Sequence, residues 1–244
     1  MPAHHVHAGR RGSVRWWAPR GLSWWIGLLF AIGSICFFVG PFPGFVQLVG
    51  SAADGMVFFV GSLFFTSAAL LQHLQAANAD RGERRFRLIT FEPRRTDWWA
   101  TLIQLIGTLY FNVDTYRAMA ESFDTSQVDR LVWTPEAFGS ICFLISGLLA
   151  YHEVRGGGVR VAARSGDGRI AIVNLAGCVF FGISTIASYV VPATGDVLAL
   201  AAANVTTALG ALCFLVGAVM LLRQAAAARR ATAPEPAGLG EAAS

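Results

Sequence analysis

Six apolar stretches divide the chain, and each is long enough to cross a membrane. They run over residues 22–40, 53–74, 98–115, 133–152, 169–191 and 197–222. The hydrocarbon core of a bilayer is about 30 Å thick, and an α-helix crosses it with about 20 residues. Gly- and Pro-rich turns join the first stretch to the second and the fifth to the sixth. The pattern therefore predicts an all-α polytopic membrane bundle of six transmembrane helices in hairpins.

The same five-residue pattern occurs in every predicted helix: Gly, a small residue, an aliphatic residue, Cys or an aromatic residue, then Phe. Its glycines are Gly33, Gly61, Gly107, Gly139, Gly177 and Gly210. Those of the odd helices are 74 and 70 residues apart, and those of the even helices 78 and 71. This recurrence predicts three tandem two-helix repeats, over about 22–80, 96–155 and 168–224. Each unit crosses twice, so the repeats are expected to be parallel, about an axis along the membrane normal.

The repeated glycines are expected near the membrane midplane. Small residues there let helix backbones approach closely, since lipid provides no hydrophobic force that pushes helices together. We therefore interpret the six glycines as a helix-packing motif. A solute path lined by the same seam is the alternative.

Composition and charge agree with a membrane location. Of all residues 55% are hydrophobic and 14% are charged, against about 25% charged in soluble domains, which excludes disorder, coiled coil and nucleic-acid binding. All 19 basic residues are arginines, so lysine chemistry is excluded. Only Arg117 and Arg130 fall on one side of the predicted topology, against 17 arginines on the other. Because arginine-rich short loops stay in the cytoplasm, both termini are expected there.

This topology predicts a cytoplasmic arginine-rich segment over 1–21, a transmembrane domain over 22–224 and a disordered cytoplasmic tail over 225–244. Arg10 and Arg11 before an apolar run also suit an export signal. That run ends in Gly-Pro-Phe-Pro rather than a small-x-small cleavage site, so an uncleaved first helix is expected.

Polar residues inside the apolar stretches are the candidate site. They are Gln104, Asn174 and Asn204, and the first two stand three residues before a repeated glycine. Such groups form hydrogen bonds between helices or line a solute path. Asp54, Asp114 and Glu136 are expected at the outer water interface, with a proton relay as the alternative. The four cysteines lack the spacing of a metal site and are expected to pack as small residues; no cofactor, metal or catalytic residue is predicted.

The first repeat resembles the YrhK-like family of small bacterial two-helix membrane proteins. The resemblance rests on Phe30-Ala31-Ile32-Gly33-Ser34-Ile35-Cys36-Phe37 and on Phe58-Phe59-Val60-Gly61-Ser62-Leu63-Phe64-Phe65. It covers about fifty residues, continues over 99–154, and weakens in the third repeat, where Gly177-Cys178 and Gly210-Ala211 replace Gly-Ser. The resemblance implies a helical hairpin and assigns no catalytic or binding residue.

The sequence thus favours a multi-pass protein of the cytoplasmic membrane that is not an enzyme. Its expected partner is the lipid bilayer, with a homo-oligomer or a protein partner left open. A structural, regulatory or partner-binding role is favoured. The alternative is a channel or carrier for a small solute, with a midplane site at the repeat interface. An intramembrane enzyme would need convergent acids, bases or metal ligands near the midplane, which the sequence lacks.

Overall fold

The computed structural model describes residues 21–79, 87–88, 90–119, 123–155 and 165–232, and side chains up to residue 228. These residues form helices joined by short turns. The helices are α1 (Leu22–Val39), α2 (Pro43–Val49), α3 (Ser51–Ala77), α4 (Thr96–Ala118), α5 (Thr125–Val128), α6 (Thr134–Val154), α7 (Gly166–Ala187) and α8 (Leu200–Thr232). A π-helical turn, Asp129–Trp133, connects α5 directly to α6.

Glycine and proline mark the turns. Gly50 has a φ of 84°, which L side chains rarely adopt, and separates the short helix α2 from α3. Pro43 is the first residue of α2, where its missing N–H has no helical partner to lose. The turn predicted at 192–195 lies between α7 and α8 and is closed by a bridge between Val190 and Val197.

Five of the described helical segments are long and apolar enough to cross a membrane. They are Leu22–Val39, Ser51–Ala77, Thr125–Val154, Gly166–Ala187 and Leu200–Ala228. The third predicted stretch, 98–115, also forms a helix, the 23-residue α4. It is not among the five, because charged, amide and hydroxyl side chains interrupt its apolar residues. The chain is thus a helical membrane bundle with five clear spans.

The six long helices form a closed ring in chain order. Helix α1 packs on α3, α3 on α4, α4 on α6, α6 on α7, α7 on α8, and α8 back on α1. Helices α1, α4 and α7 begin at the end of the ring where α3, α6 and α8 approach their C-termini; we name this the arginine-rich end. Arg94, Arg95, Arg155, Arg169 and Arg223 lie there.

The six glycines are all buried, and each faces a phenylalanine of the neighbouring helix in its own hairpin. Gly33 lies against Phe65, and Gly61 against Phe37. The second and third hairpins repeat this exchange, with Gly107 against Phe143, Gly139 against Phe111, Gly177 against Phe214 and Gly210 against Phe181. Backbones approach closely at these points because glycine has no side chain.

The predictions for the two ends of the chain, the N-terminal segment over 1–21 and the tail over 225–244, have different outcomes. Residues 1–20 and 233–244 lie outside the described residues, as do Arg81, Arg84, Arg85, Arg160 and Arg164. The disordered tail predicted from residue 225 is wrong for its first eight residues, since α8 continues to Thr232. Alanines at 225–228 have the highest helix propensity and extend the helix beyond its apolar part.

Candidate functional site

The centre of the ring is filled by six phenylalanines, one from each long helix. We name Phe37, Phe65, Phe111, Phe143, Phe181 and Phe214 the phenylalanine plug; each stands four residues after a repeated glycine. Within hairpins the ring centroids are 5.5 Å apart for Phe37 and Phe65, 5.1 Å for Phe111 and Phe143, and 5.5 Å for Phe181 and Phe214.

The plug has two layers because neighbouring helices run in opposite directions. The four residues from each repeated glycine to its phenylalanine advance about 6 Å along the helix axis. In α3, α6 and α8 this step leads towards the arginine-rich end, and in α1, α4 and α7 it leads away from that end. In the first group Phe214 lies 5.9 Å from Phe65 and 6.0 Å from Phe143. In the second, Phe181 lies 5.8 Å from Phe37 and 5.9 Å from Phe111. The two triads stack and close the axis of the ring.

A cavity of about 280 Å³ lies between the plug and the arginine-rich end. Each of the six ring helices contributes to its lining, so the cavity follows the axis of the bundle. Small-molecule sites typically measure about 300–1,000 Å³, and one ordered water needs only about 10–15 Å³. We name it the axial cavity; it has room for a small organic solute.

The deep part of the axial cavity is aromatic with two amides. Its floor is the inner plug layer, Phe65, Phe143 and Phe214, and its wall includes Gln104 and Asn174. The Ser146 hydroxyl donates to the backbone carbonyl of Ala100 at 2.8 Å and lies 3.4 Å from Gln104 Oε1. In the next hairpin, Asn174 fills the space that a side chain at Gly217 would occupy.

The mouth of the axial cavity is acidic. Asp97, Glu153 and Asp167 line it, and Glu153 and Asp167 are exposed. Arg95 forms an ion pair with Asp97, and Gln224 Nε2 donates to Asp167 Oδ1 at 3.3 Å. The cavity thus opens at the arginine-rich end through a rim of carboxylates.

The structure brings two of the three predicted path residues together. Gln104 and Asn174 line the same cavity, whereas Asn204 is outside its lining. Asn204 precedes Gly210 by six residues, and α8 runs towards the arginine-rich end, which puts Asn204 about 9 Å beyond that glycine on the far side. The six repeated glycines lie at the level of the plug, between the helices.

A second polar group lies beyond the plug, at the other end of the ring. Asp114 is 9% exposed, and the charge of Glu136 lies close enough to interact with it. Glu136 also accepts hydrogen bonds from Thr185 Oγ1 at 3.1 Å and from Ser188 Oγ at 3.0 Å. Asp54, on α3, has a buried carboxyl oxygen without a hydrogen-bond partner. Asp114 is thus buried inside the ring, whereas Asp54 is half-buried near the start of α3.

The connection at this end has one perturbed carboxylate outside the spans. Asp124 caps α5, and hydrogen bonds from the backbone N–H of Gln127 and the hydroxyl of Ser126 lower its pKa below the usual aspartate value. Within the described residues no group of three or more His, Cys, Asp and Glu could hold a metal ion.

Several cavity residues escaped sequence reasoning, among them Phe30, Asp97, Glu153 and Asp167. Phe30 shares with the predicted Gln104 and Asn174 the position three residues before a glycine. Asp97 and Asp167 both stand ten residues before one, and Glu153 and Gln224 both stand fourteen residues after one. The last two offsets recur in the second and third hairpins alone, since the first has Ser23 and Gln75 at these positions, outside the lining.

Searches against protein family models, curated proteins and solved structures found no match to this chain. The resemblance of the first hairpin to the YrhK-like family therefore stays a prediction, and the site is interpreted from its own geometry.

Proposed function

We propose that α4 is a sixth membrane span and that the protein is a six-helix bundle with both termini in the cytoplasm. The exposed residues of α4 are apolar or aromatic, among them Ile106, Leu109 and Val113. Its polar residues Thr101, Thr108 and Asp114 are buried inside the ring. The side chains that lower its hydropathy thus face away from lipid, as polar groups in membrane helices do.

Three tandem hairpins are the second part of the proposal. The reciprocal contacts between glycine and phenylalanine, at the same offsets in all three hairpins, support it. Contacts between hairpins repeat as well: Ser62 Oγ lies 3.1 Å from Thr115 Oγ1, and Ser140 Oγ lies 2.7 Å from Thr185 Oγ1. The third such contact would pair Ala211 with Pro41, where hydroxyl groups are lacking.

The bundle binds and passes a small solute along its axis, as a channel or carrier closed at the phenylalanine plug. The observation that carries this proposal is the axial cavity, which all six helices line and which holds Gln104 and Asn174 on its wall. Intramembrane polar groups beside a cavity mark solute paths. A structural, regulatory or partner-binding role has no comparable feature in the described residues and becomes the alternative outcome of the test.

Thiol labelling tests the path. Single cysteines replace Gln104 and Asn174 in a chain whose Cys36, Cys142, Cys178 and Cys213 are alanines, and vesicles are treated with a water-soluble, membrane-impermeant thiol reagent. Both positions are expected to react from the arginine-rich side alone, because the plug separates them from the other end. Arg94→Cys and Thr194→Cys, both exposed and at opposite ends, report sidedness.

The matched lipid-facing control is Leu109→Cys, on the same helix as Gln104 and 50% exposed at the bundle surface. It should stay unlabelled. If Gln104→Cys and Asn174→Cys also stay unlabelled while the two loop cysteines react, the cavity is dry. That outcome removes the transport proposal and favours a partner-binding role. Labelling of Asn204→Cys from the arginine-rich side would contradict closure at the plug.

A further inference from the structure

The rim of the axial cavity carries one sign of charge. Its lining includes three carboxylates and, among the described residues, no arginine or histidine. Arg95 pairs with Asp97 and its charge also reaches Glu153, so the three carboxylates outnumber the one described arginine beside them. Glu153 and Asp167 are exposed at the mouth. Arg94, Arg155, Arg169 and Arg223 lie at this end of the ring but outside the lining of the cavity. A mouth lined by one sign of charge concentrates solutes of the other sign.

The interior suits the apolar groups of a cation. Phe30, Phe65, Phe143 and Phe214 line it, and the faces of aromatic rings attract ammonium groups. Gln72, also in the lining, has a buried side-chain oxygen without a hydrogen-bond partner. A buried unpaired acceptor costs free energy that a hydroxyl or N–H donor of a solute would recover.

From these two features we propose that the axial cavity binds a small organic cation. This cation is a quaternary or protonated amine that carries alkyl groups and a hydrogen-bond donor. The inference rests on the proposed solute path and names its substrate class. The ammonium group lies between the rim carboxylates and the phenylalanine rings, and the donor reaches the Gln72 oxygen. Anions are excluded by Glu153 and Asp167.

Choline and its uncharged carbon isostere 3,3-dimethylbutan-1-ol are the matched probes, because they share shape and hydroxyl and differ in charge. Equilibrium binding to the purified full chain in detergent is measured for both, and for the anion 3,3-dimethylbutanoate. We expect choline to bind about tenfold more tightly than the alcohol. This is the usual size of the preference of aromatic rings and carboxylates for a positive charge. No binding of the anion is expected.

The double variant Glu153→Gln/Asp167→Asn removes both exposed carboxylates of the rim and keeps side-chain size. It should weaken choline about tenfold and leave the alcohol unchanged. Asp196→Asn removes one negative charge at the opposite end, where Asp196 is exposed, and should change neither affinity. Equal or tighter binding of the alcohol or the anion overturns the proposal, as does a double variant that binds choline like the wild type.

Failure of this inference and failure of the solute path are separable. If Gln104→Cys reacts with the thiol reagent and choline neither binds nor slows that reaction, the cavity is open but not cation-selective. If Gln104→Cys and Asn174→Cys stay unreactive, the path itself is absent and the cation proposal fails with it.

Discussion

At Gly33 the backbone of α1 touches the backbone of α3. A Cβ built on Gly33 would lie 2.9 Å from the carbonyl oxygen of Gly61 and 2.9 Å from the Phe65 ring. A ring can tilt, but a backbone carbonyl in a helix cannot move without moving the helix. Glycine here therefore decides how closely the two helices pack, and the same holds where Gly177 faces the carbonyl of Gly210 at 3.1 Å.

Gly33→Ala is expected to destabilise the bundle by about 1–3 kcal/mol, the usual cost of overpacking. In a chain of this size that lowers the unfolding midpoint by roughly 2–4 °C for each kcal/mol. Gly44→Ala is the control, because a Cβ there meets nothing within 4 Å, and alanine in a helix then gains about 0.5–1 kcal/mol. Thermal unfolding in detergent measures both; equal midpoints would contradict the close approach.

The polar residues show how far residue-level reasoning reaches. Gln104 and Asn174 could be placed together from their shared offset to a glycine. Asn204 looks equivalent in a hydropathy profile, but α8 runs antiparallel to α4 and α7. Asn204 therefore lies farther than its repeated glycine from the arginine-rich end, whereas Gln104 and Asn174 lie nearer to it. The depth of a residue along the bundle axis depends on the direction of its helix as well as on its distance along the chain. Composition alone does not give this depth.

At the scale of the elements, the three hairpins fill one equivalent position in three ways. This position pairs two residues of one hairpin. One stands seven residues after the repeated glycine of the first helix, and the other stands three residues before the repeated glycine of the second helix. In the first hairpin Gly40 packs against the Phe58 ring. In the third, the Ser184 and Thr207 hydroxyls lie 2.5 Å apart. The second hairpin places Asp114 and Glu136 there, two carboxyl groups that repel each other when both are ionised.

Replacing that carboxyl pair with the pair of the third hairpin, Asp114→Ser/Glu136→Thr, is expected to raise the unfolding midpoint. The exchange removes a repulsion between enclosed like charges and supplies hydroxyls that fit the same geometry in α7 and α8. A gain of about 1 kcal/mol would appear as roughly 2–4 °C. The reverse exchange, Ser184→Asp/Thr207→Glu, should lower it. A stability loss in the first variant would show that the carboxylates hold the hairpin together.

For the whole molecule the decisive feature is that the six phenylalanines meet. Phe214 is the best connected in the inner layer, lying next to Phe65, Phe143 and Phe181. In the proposed solute path this aromatic plug is the barrier on the axis, and it leaves the cavity open towards the arginine-rich end. The plug is therefore the feature that gives the proposed path its sidedness.

Phe214→Ala should open the plug, so that Gln104→Cys reacts with the thiol reagent from both sides of the membrane rather than one. Removing a fully buried phenylalanine ring costs about 3–5 kcal/mol, and the partly buried Phe214 is expected to cost less. Phe214→Leu serves as a milder variant with partial opening. Phe138→Ala, which loses a ring that is 51% exposed on the lipid-facing surface of α6, should keep one-sided labelling. Unchanged sidedness in both Phe214 variants of a folded protein would show that the plug is not the barrier.

The apolar run lengths by themselves determined that the chain forms long helices in a membrane. Hydrocarbon offers the backbone no hydrogen-bond partner, and a helix of about 20 residues crosses it with its backbone N–H and C=O groups paired within the same segment. The turns between the runs predicted the hairpins. The spacing of the glycines predicted the tandem repeat, which stays a prediction that the contacts support. Closure of the ring, the two layers of the plug and the gathering of Asp97, Glu153 and Asp167 at one mouth were decided by the tertiary structure. These residues lie far apart in sequence, and only the antiparallel packing of helices around one axis brings their side chains to the same depth.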